Sequence, residues 1–598
     1  MDQFQRPIQA TNLTIGLEHV LTDDRTLRLE YRREQDAREN QGVGNFDLQE
    51  RAFTRTGTEH QIRTSLQGLY GGKILNESRL QVNISESEST PVSGAPTIRV
   101  IDAFTEGSAN VLNRNRTRSV QFANDTDFTR GLHVLRTGVL LEVSHFREFD
   151  ARNAAGTFTF SSLENYNAGR PDTFTQRLGL GETAFTYYQL GFYLQDDIRL
   201  NRTLSISLGA RQEMQSFVDD HLNVMPRLGF TWNPGGSRTA IRGGYGIFYD
   251  WYEASLHDQT IRVDGDLQRD LLILDPGYPN PVGGLLAEVV PGGVVQADPN
   301  LRMPSVQQAS IGVDRPIGEF LTLQMSYQWQ RGHDQLRSLN INAPDEFGVR
   351  PDPTAGTITQ IESTGRMAND RVTLNANFRV PQRNIFFNVG FTLAQVKNHA
   401  NSATSLPANS RDPDAEWGPA SQDIRHRVFA TLNYTFPLEI RANMTNQYSS
   451  APPYTVTTGS DDNRDGVSND RPAGIGRNSE RGAYRVETNL RITRDFGFGG
   501  SRTVEGGPGP AGPGGGGFGG PGRGGPQGGG GGRGGGGRGG GQGGGDQRFT
   551  LEIYGQASNL FNRVNLGSFS GNLSSSFFGT ATSAAPARRV EVGMNLRY

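Results

Sequence analysis

Residues 589–598 alternate strictly. Val590, Val592, Met594, Leu596 and Tyr598 occupy one parity, and Arg589, Glu591, Gly593, Asn595 and Arg597 the other. A period of two puts one face of a β-strand against an apolar medium and the other against water. The pattern recurs. Leu321, Leu323, Met325, Tyr327 and Trp329 alternate with Thr322, Gln324, Ser326, Gln328 and Gln330. Leu204, Ile206, Leu208 and Ala210 repeat it, as do Val372, Leu374, Ala376 and Phe378, and Val428, Ala430, Leu432, Tyr434 and Phe436. Each run has about ten residues, the length with which a tilted strand crosses a bilayer.

Marking every such run predicts about 19 strands. They fall near 12–21, 25–34, 58–70, 74–88, 117–128, 133–147, 186–198, 203–217, 225–232, 237–250, 306–314, 320–331, 370–379, 384–397, 424–435, 438–450, 483–496, 548–560 and 587–598. Their connections alternate in kind. "TDD", "GGK", "TRG", "LNR", "NPGGS", "RPIGE", "PQR" and "PLE" are tight turns, whereas 89–116, 148–185, 251–305, 331–369 and 451–482 are long polar loops. Short turns on one side and long loops on the other mark an outer-membrane barrel. With the turns in the periplasm, the last strand descends and leaves Tyr598 at the periplasmic rim, where aromatic residues sit at the membrane interface. Trp232, Phe320, Phe436 and Phe498 fall on the turn side, and Tyr245, Tyr249, Trp251 and Tyr252 on the loop side. A soluble sandwich or propeller also alternates. It would have to explain the uniform strand length, the turn and loop asymmetry, and loops too polar to form cores.

Composition fits thin strands rather than several compact cores. Only 34% of the 598 residues are hydrophobic and the mean hydropathy is -0.54, yet there are 32 Phe, 17 Tyr and 78 Gly. A net charge of -3 points to neither nucleic acid nor an anionic surface. Cys is absent, which excludes disulfides, a thiolate nucleophile and a cysteine metal site. No apolar run reaches the length of a spanning helix, and "MDQFQRPIQATNL" has neither the basic start nor the apolar centre of a secretory signal. The expected layout is a barrel portion over 1–499, a Gly-rich periplasmic linker over 500–546, and the last two barrel strands over 547–598. Arg523, Arg533 and Arg538 in the linker resemble an RGG tether but have no aromatic stacking platform, so nucleic acid is not an expected partner.

The best local chemistry lies in "SDDNRDGVSNDRP", residues 460–472. Asp461, Asn463 and Asp465, then Gly466, have the one, three, five, six spacing of a calcium loop; Asn469 and Asp470 add oxygens. Pro472 stands where a bidentate Glu belongs, and the same residues suit a plain solvated turn. The candidate ligands of a structural calcium are thus Asp461, Asn463, Asp465 and Asp470. The nine histidines are scattered singly. Asp196 and Asp197 are adjacent, so on a strand they face opposite sides and cannot form an acid and base couple. Phosphate loops and nucleophile elbows are absent, and no enzyme is expected.

Four segments in order resemble the barrel of TonB-dependent outer-membrane receptors of the Oar-like group. They are "MPRLGFTWNPGGSRTAIRGGYGIFYDWYEASL" (225–256), "DPNLRMPSVQQASIGVDRPIGEFLTLQMSYQWQRGHDQLRSLNINAP" (298–344), "DIRHRVFATLNY" (423–434) and "NLFNRVNLGSFSGNLSSSFFG" (559–579). The resemblance implies a 22-stranded barrel filled by a plug domain that TonB contacts. This chain shows no plug, TonB-contact segment or signal peptide. Nineteen strands that begin and end downward leave three missing at the N-terminus, so a truncated product is expected. The expected function is a receptor or transporter barrel taking up a ligand through long external loops, chiefly 251–305. Lipid of a Gram-negative outer membrane and the TonB system would be its partners. The rivals are a non-transporting adhesin or structural barrel, and a secreted soluble β-protein.

Overall fold

The structure, a computed structural model, describes residues 5–44, 46–179, 181–284, 287–465, 467, 469–501 and 547–597. One antiparallel meander dominates it. Its strands are β1 Ile8–Thr22, β2 Arg25–Gln41, β3 Phe53–Tyr70, β4 Ile74–Pro91, β5 Asn113–Arg130, β6 His133–Asp150 and β7 Gly181–Arg199. They continue as β8 Leu204–Gln215, β9 Asn223–Trp232, β10 Ala240–Tyr249, β11 Ser305–Ile317, β12 Leu321–Asn340, β13 Ile358–Val380 and β14 Ile385–Asn398. The last are β15 His426–Thr435, β16 Arg441–Ser449, β17 Arg485–Ser501, β18 Gln547–Ser558 and β19 Arg589–Arg597. Each pairs with the next in sequence. These are the nineteen strands expected from the alternation. Among the described residues no helix is long and apolar enough to cross a membrane.

The alternation resolves into two faces. Outward lie Leu323, Met325 and Tyr327 of β12, Ile311 and Val313 of β11, and Phe192 and Leu194 of β7, all exposed. Apolar side chains on a strand surface are stable when hydrocarbon wets them. On the outward face of β4 and β5 the belt rises from the Ile74/Phe128 row to the Ile84/Arg118 row. Ten residues at about 3.3 Å each, tilted by about 40°, span about 25 Å, the height of an outer-membrane apolar band. The opposite parity carries Arg79, Asp125, Asp127, Arg136 and Asp197, a charged lumen wall joined by the Arg136–Asp127 and Arg136–Asp197 ion pairs. Trp232, Phe320, Phe436 and Phe498 are exposed near the turn-side rim, as an interfacial girdle requires. Tyr598 and residues 502–546, with Arg523, Arg533 and Arg538, lie outside the described residues.

The turns are tight for local reasons. In the β3–β4 hairpin Gly71 (φ 58°) and Gly72 (φ 68°), the central residues of the Tyr70–Lys73 turn, both take the left-handed conformation that a primed turn needs. The β15–β16 turn does the same with Leu438 (φ 67°) and Glu439 (φ 58°), residues that a Cβ strains there.

Three sequence expectations need correction. The strands are 9 to 23 residues long rather than about ten, because many run past the bilayer. Residues 331–340 and 358–369, expected in a loop, belong to β12 and β13. Their polar residues stay paired in the sheet, since hydrogen bonding continues beyond the hydrocarbon that imposes the alternation. Finally, β17 runs to Ser501, past the start expected for the linker. β1 and β19 run in the same direction, because eighteen antiparallel steps separate them. No pairing joins them among the described residues.

Candidate functional site: the loop cap

The loop side is folded. A second sheet gathers three loops: Thr97–Val100 pairs with Phe104–Glu106 and, in parallel, with Thr157–Phe160. Thr157–Phe160 pairs with Thr173–Leu178, that strand with Arg269–Leu274, and that in turn with Glu288–Ala297. Glu288–Ala297 then runs parallel to the start of β13, which joins the cap to the barrel. The expectation that the loops are too polar for cores is overturned. Val100, Phe158, Phe160, Phe174 and Ile273 form one buried cluster. Its rings pack at 4.6 Å (Phe158–Phe174) and edge to face at 5.3 Å (Phe160–Tyr166). Val218, Tyr252, Leu256, Leu301, Met303 and Ile361 form a second, with Tyr249 and Trp251 against it. Tyr249, Trp251 and Tyr252 therefore serve the cap core rather than a membrane girdle; Tyr245 alone of that group is exposed on the barrel surface.

A buried charge network seats the helix Ala254–Arg262. Arg262, with a side chain 1% exposed, donates from Nε to Asp258 Oδ2 at 2.9 Å and from Nη1 to Gln268 Oε1 at 2.7 Å. Its Nη2 lies 3.2 Å from Asp150 Oδ2 at the top of β6. Thr183 of β7 donates to Asp258, and Gln268 donates from Nε2 to the Asp150 carbonyl at 2.7 Å. Asp150 and Thr183 share the lumen-facing parity, so this helix packs against the inside of the barrel mouth. Gly181 permits the approach: a Cβ there would lie 2.6 Å from Arg262 Cδ and 2.5 Å from Gln268 Cδ.

The second half of the cap holds a polar cavity of about 260 Å³, lined by Arg337, His399, Glu416, Asn469, Arg471 and Arg477 among others. Arg477 donates from Nε to the Glu416 carbonyl at 3.0 Å, and Arg471 from Nη1 to Glu416 Oε1 at 2.6 Å. Arg337 donates to Thr364 Oγ1 at 2.7 Å and to the Pro413 carbonyl at 3.1 Å. Arg471 and Arg477 thus face the buried Glu416 carboxylate, the latter at 3.7 Å, while Arg337 Nη1 lies 4.0 Å from Asp414 Oδ1. Burial lowers the Arg477 pKa, and burial, then the neighbouring arginines, lowers that of His399, which favours a neutral imidazole. The sequence showed no recognisable pocket in these loops. Its lining comes from residues 337–338, 399–416, 455–457 and 469–477, too far apart along the chain to form a motif.

Asn469 and Arg471, near the end of the candidate calcium segment, line this cavity. Asn463 donates from Nδ2 to the Ala408 carbonyl at 2.6 Å and to Asp470 Oδ1 at 2.9 Å. Asp461 Oδ1 accepts from the Asp465 amide at 3.0 Å, and Asp470 Oδ2 from the Asp462 amide at 2.8 Å. Asn469 donates to the Leu406 carbonyl at 3.2 Å. Asp465 and Asp470 are buried. Burial, with the charges of Asp461 and Asp470, pushes the Asp465 carboxyl up to about 7; burial also raises Asp470. The structure brings Asp461, Asn463, Asp465 and Asp470 together. Among the described residues, no group of three or more His, Cys, Asp or Glu is arranged to hold a metal ion. Asp196 and Asp197 do face opposite ways. Asp196 Oδ2 lies 2.7 Å from His133 Nδ1, while Asp197 accepts from Gln195 at 2.9 Å and lies 3.4 Å from Arg136 Nε.

Comparison with known proteins agrees with this architecture. A family model described as an outer membrane beta barrel domain matches residues 52–222 and 214–496. The outer membrane transporter YddB of Escherichia coli superposes with a TM-score of 0.65 at 12% identity, covering 99% of this chain and 69% of that one. The ferric enterobactin receptor PfeA of Pseudomonas aeruginosa, in a mutant form, gives 0.61 at 12% identity over 99% and 69%. The FrpB iron transporter of Neisseria meningitidis (F5-1 variant) gives 0.57 at 12% identity over 98% and 72%. No curated protein sequence matches the chain. The chain belongs to the outer-membrane β-barrel domain family, and its place is the cell outer membrane.

Proposed function

We propose that the chain is the barrel of a TonB-dependent receptor and transporter of the Oar-like group, whose cap captures a ligand for passage through the lumen. The carrying observation is a folded cap seated on the lumen-facing side of the mouth, above a wall lined with charge. A pathway through the membrane needs such a polar lumen, and an adhesin does not. The excess of guanidinium groups around the 260 Å³ cavity suits a ligand with an anionic group. Planar-bilayer recording of the folded full chain tests the pathway: stable conductance steps are expected. A folded, inserted chain that never conducts above the lipid background would contradict transport and leave the adhesin reading.

A second reading concerns calcium. Burial, then the charges of Asp461 and Asp470, raises the pKa of Asp465, and burial raises that of Asp470; a divalent cation held by Asp461, Asp465 and Asp470 with Asn463 would relieve that. Calorimetric titration of the full chain in detergent with calcium, against D465N, tests it. Saturable heat lost in the variant supports the site; equal heats in both would end it.

A further inference from the structure

On the outer surface of β5, the run "NRNRTR" places Arg114, Arg116 and Arg118 on the outward parity, directly above Val120 and Phe122, which are exposed to the apolar belt. By the height reckoned above, Arg118 lies at the upper edge of the hydrocarbon. Arg116 and Arg114 follow on the same face, each about 6.6 Å further along the strand. The three side chains are exposed and make no hydrogen bond or ion pair with any described residue.

The neighbours sharpen the anomaly. Across the β5–β6 ladder Arg116 stands directly opposite Arg147, and Arg118 opposite His145. Like charges directly opposite on one face of a sheet are destabilising, so the Arg116–Arg147 pair favours a further anion beside it. Glu86 and Glu88 of β4 face Arg116 and Arg114 in register, yet neither closes an ion pair among the described residues. Glu182 is held by Arg147, whose Nε donates to it at 2.7 Å. A cavity of about 240 Å³ opens here, lined by Glu86, Arg114, Arg116, Arg147, Phe149 and Glu182.

We propose that Arg114, Arg116, Arg118 and Arg147 bind the phosphorylated headgroup of an outer-leaflet lipid, its acyl chains lying down the Val120/Phe122 face. Guanidinium groups pair with phosphate through two parallel N–H donors, and a ladder of them suits a headgroup with more than one phosphate. Position argues for a lipid rather than a dissolved ion, since the same strand face passes without a break from arginine to hydrocarbon-facing side chains.

The test is titration of the purified full chain in detergent with diphosphoryl lipid A and with its dephosphorylated form, followed by native mass spectrometry. Saturable binding of the diphosphoryl lipid is expected. The triple variant R114Q/R116Q/R118Q should weaken it by about tenfold or more, while R331Q, a charge loss in an ion pair elsewhere on the outer face, leaves it unchanged. Should the triple variant fail to fold, E86Q/E88Q provides the check: removing two carboxylates should tighten binding. The proposal is overturned by equal binding of the phosphate-free lipid, by equal weakening in R331Q, by an indifferent triple variant, or by E86Q/E88Q that binds no tighter. Displacement of the lipid by millimolar inorganic phosphate would equally overturn it.

Discussion

Replacing Arg262 with Met isolates what seats the cap. The new side chain has comparable length, so the helix Ala254–Arg262 keeps its packing while three polar contacts disappear. Asp150 retains Arg152, which donates to it from the backbone amide at 2.8 Å and from Nε at 2.8 Å. The deficit falls on Asp258, whose side chain is 4% exposed and, among the described residues, keeps only Thr183 as a hydrogen-bond donor. Breaking a buried ion pair by removing one partner costs about 3–5 kcal/mol, because a charge is left uncompensated. At about 1.4 kcal/mol per tenfold, amide exchange across residues 254–274 should accelerate by roughly 100-fold to more than 1,000-fold. Hydrogen–deuterium exchange of the barrel in detergent reads this segment by segment, and β12 and β13 below the rim should not change. R262M/D258L, which removes the orphaned charge as well, should recover most of the protection. If R262M leaves cap exchange within about threefold of the parent, or if the double variant is as damaged as the single one, the charge argument is refuted.

Three further outcomes are expected. Asp465 titrates near 7 when folded and near 3.8 when unfolded, so its folded form holds the proton longer. The stability it contributes is complete below about pH 4 and lost as pH rises towards 7, up to about 4 kcal/mol locally. Exchange of residues 458–472 should therefore speed up over that range in the parent and much less in D465N. In the β15–β16 turn, L438N/E439G removes the left-handed strain at two side chains and should stabilise the barrel by about 1–2 kcal/mol, read as a higher urea midpoint in vesicles. Met325→Arg on the lipid face should cost about 2–4 kcal/mol in the same assay, while Ser326→Arg on the lumen face stays within about 1 kcal/mol.

What the sequence shows depends on the solvent around each segment. Hydrocarbon forces the alternation, so Leu321 to Trp329 and Val428 to Phe436 can be read at sight as spanning strands. Above the bilayer both faces are wet. Thus 35–41 of β2 and 113–118 of β5 carry no alternation of apolar and polar residues, though the ladder continues through them. The cap core is equally hidden, because "TIRV", "TFTF" and "LLIL" are too short to stand apart from loops, and only long-range pairing brings Val100, Phe158 and Ile273 together. Asp461, Asn463, Asp465 and Asp470 were visible as a spacing. Their burial was not, since it comes from loop 399–417 folding onto them through the Ala408 and Leu406 carbonyls. The Arg262 network had only an Asp258 four residues earlier to suggest it, an ordinary pair on any helix.

The central claim is that hydrocarbon contacts every second side chain of the spanning strands. Nitroxide labels placed singly from residue 321 to residue 331, with the protein in lipid vesicles, test it through collisions with oxygen and with a water-soluble nickel chelate. Oxygen contact should peak at 321, 323, 325, 327 and 329 and the chelate should peak at the sites between. Accessibility that does not oscillate with a period of two, or that favours the chelate on both parities, would contradict a membrane-spanning barrel.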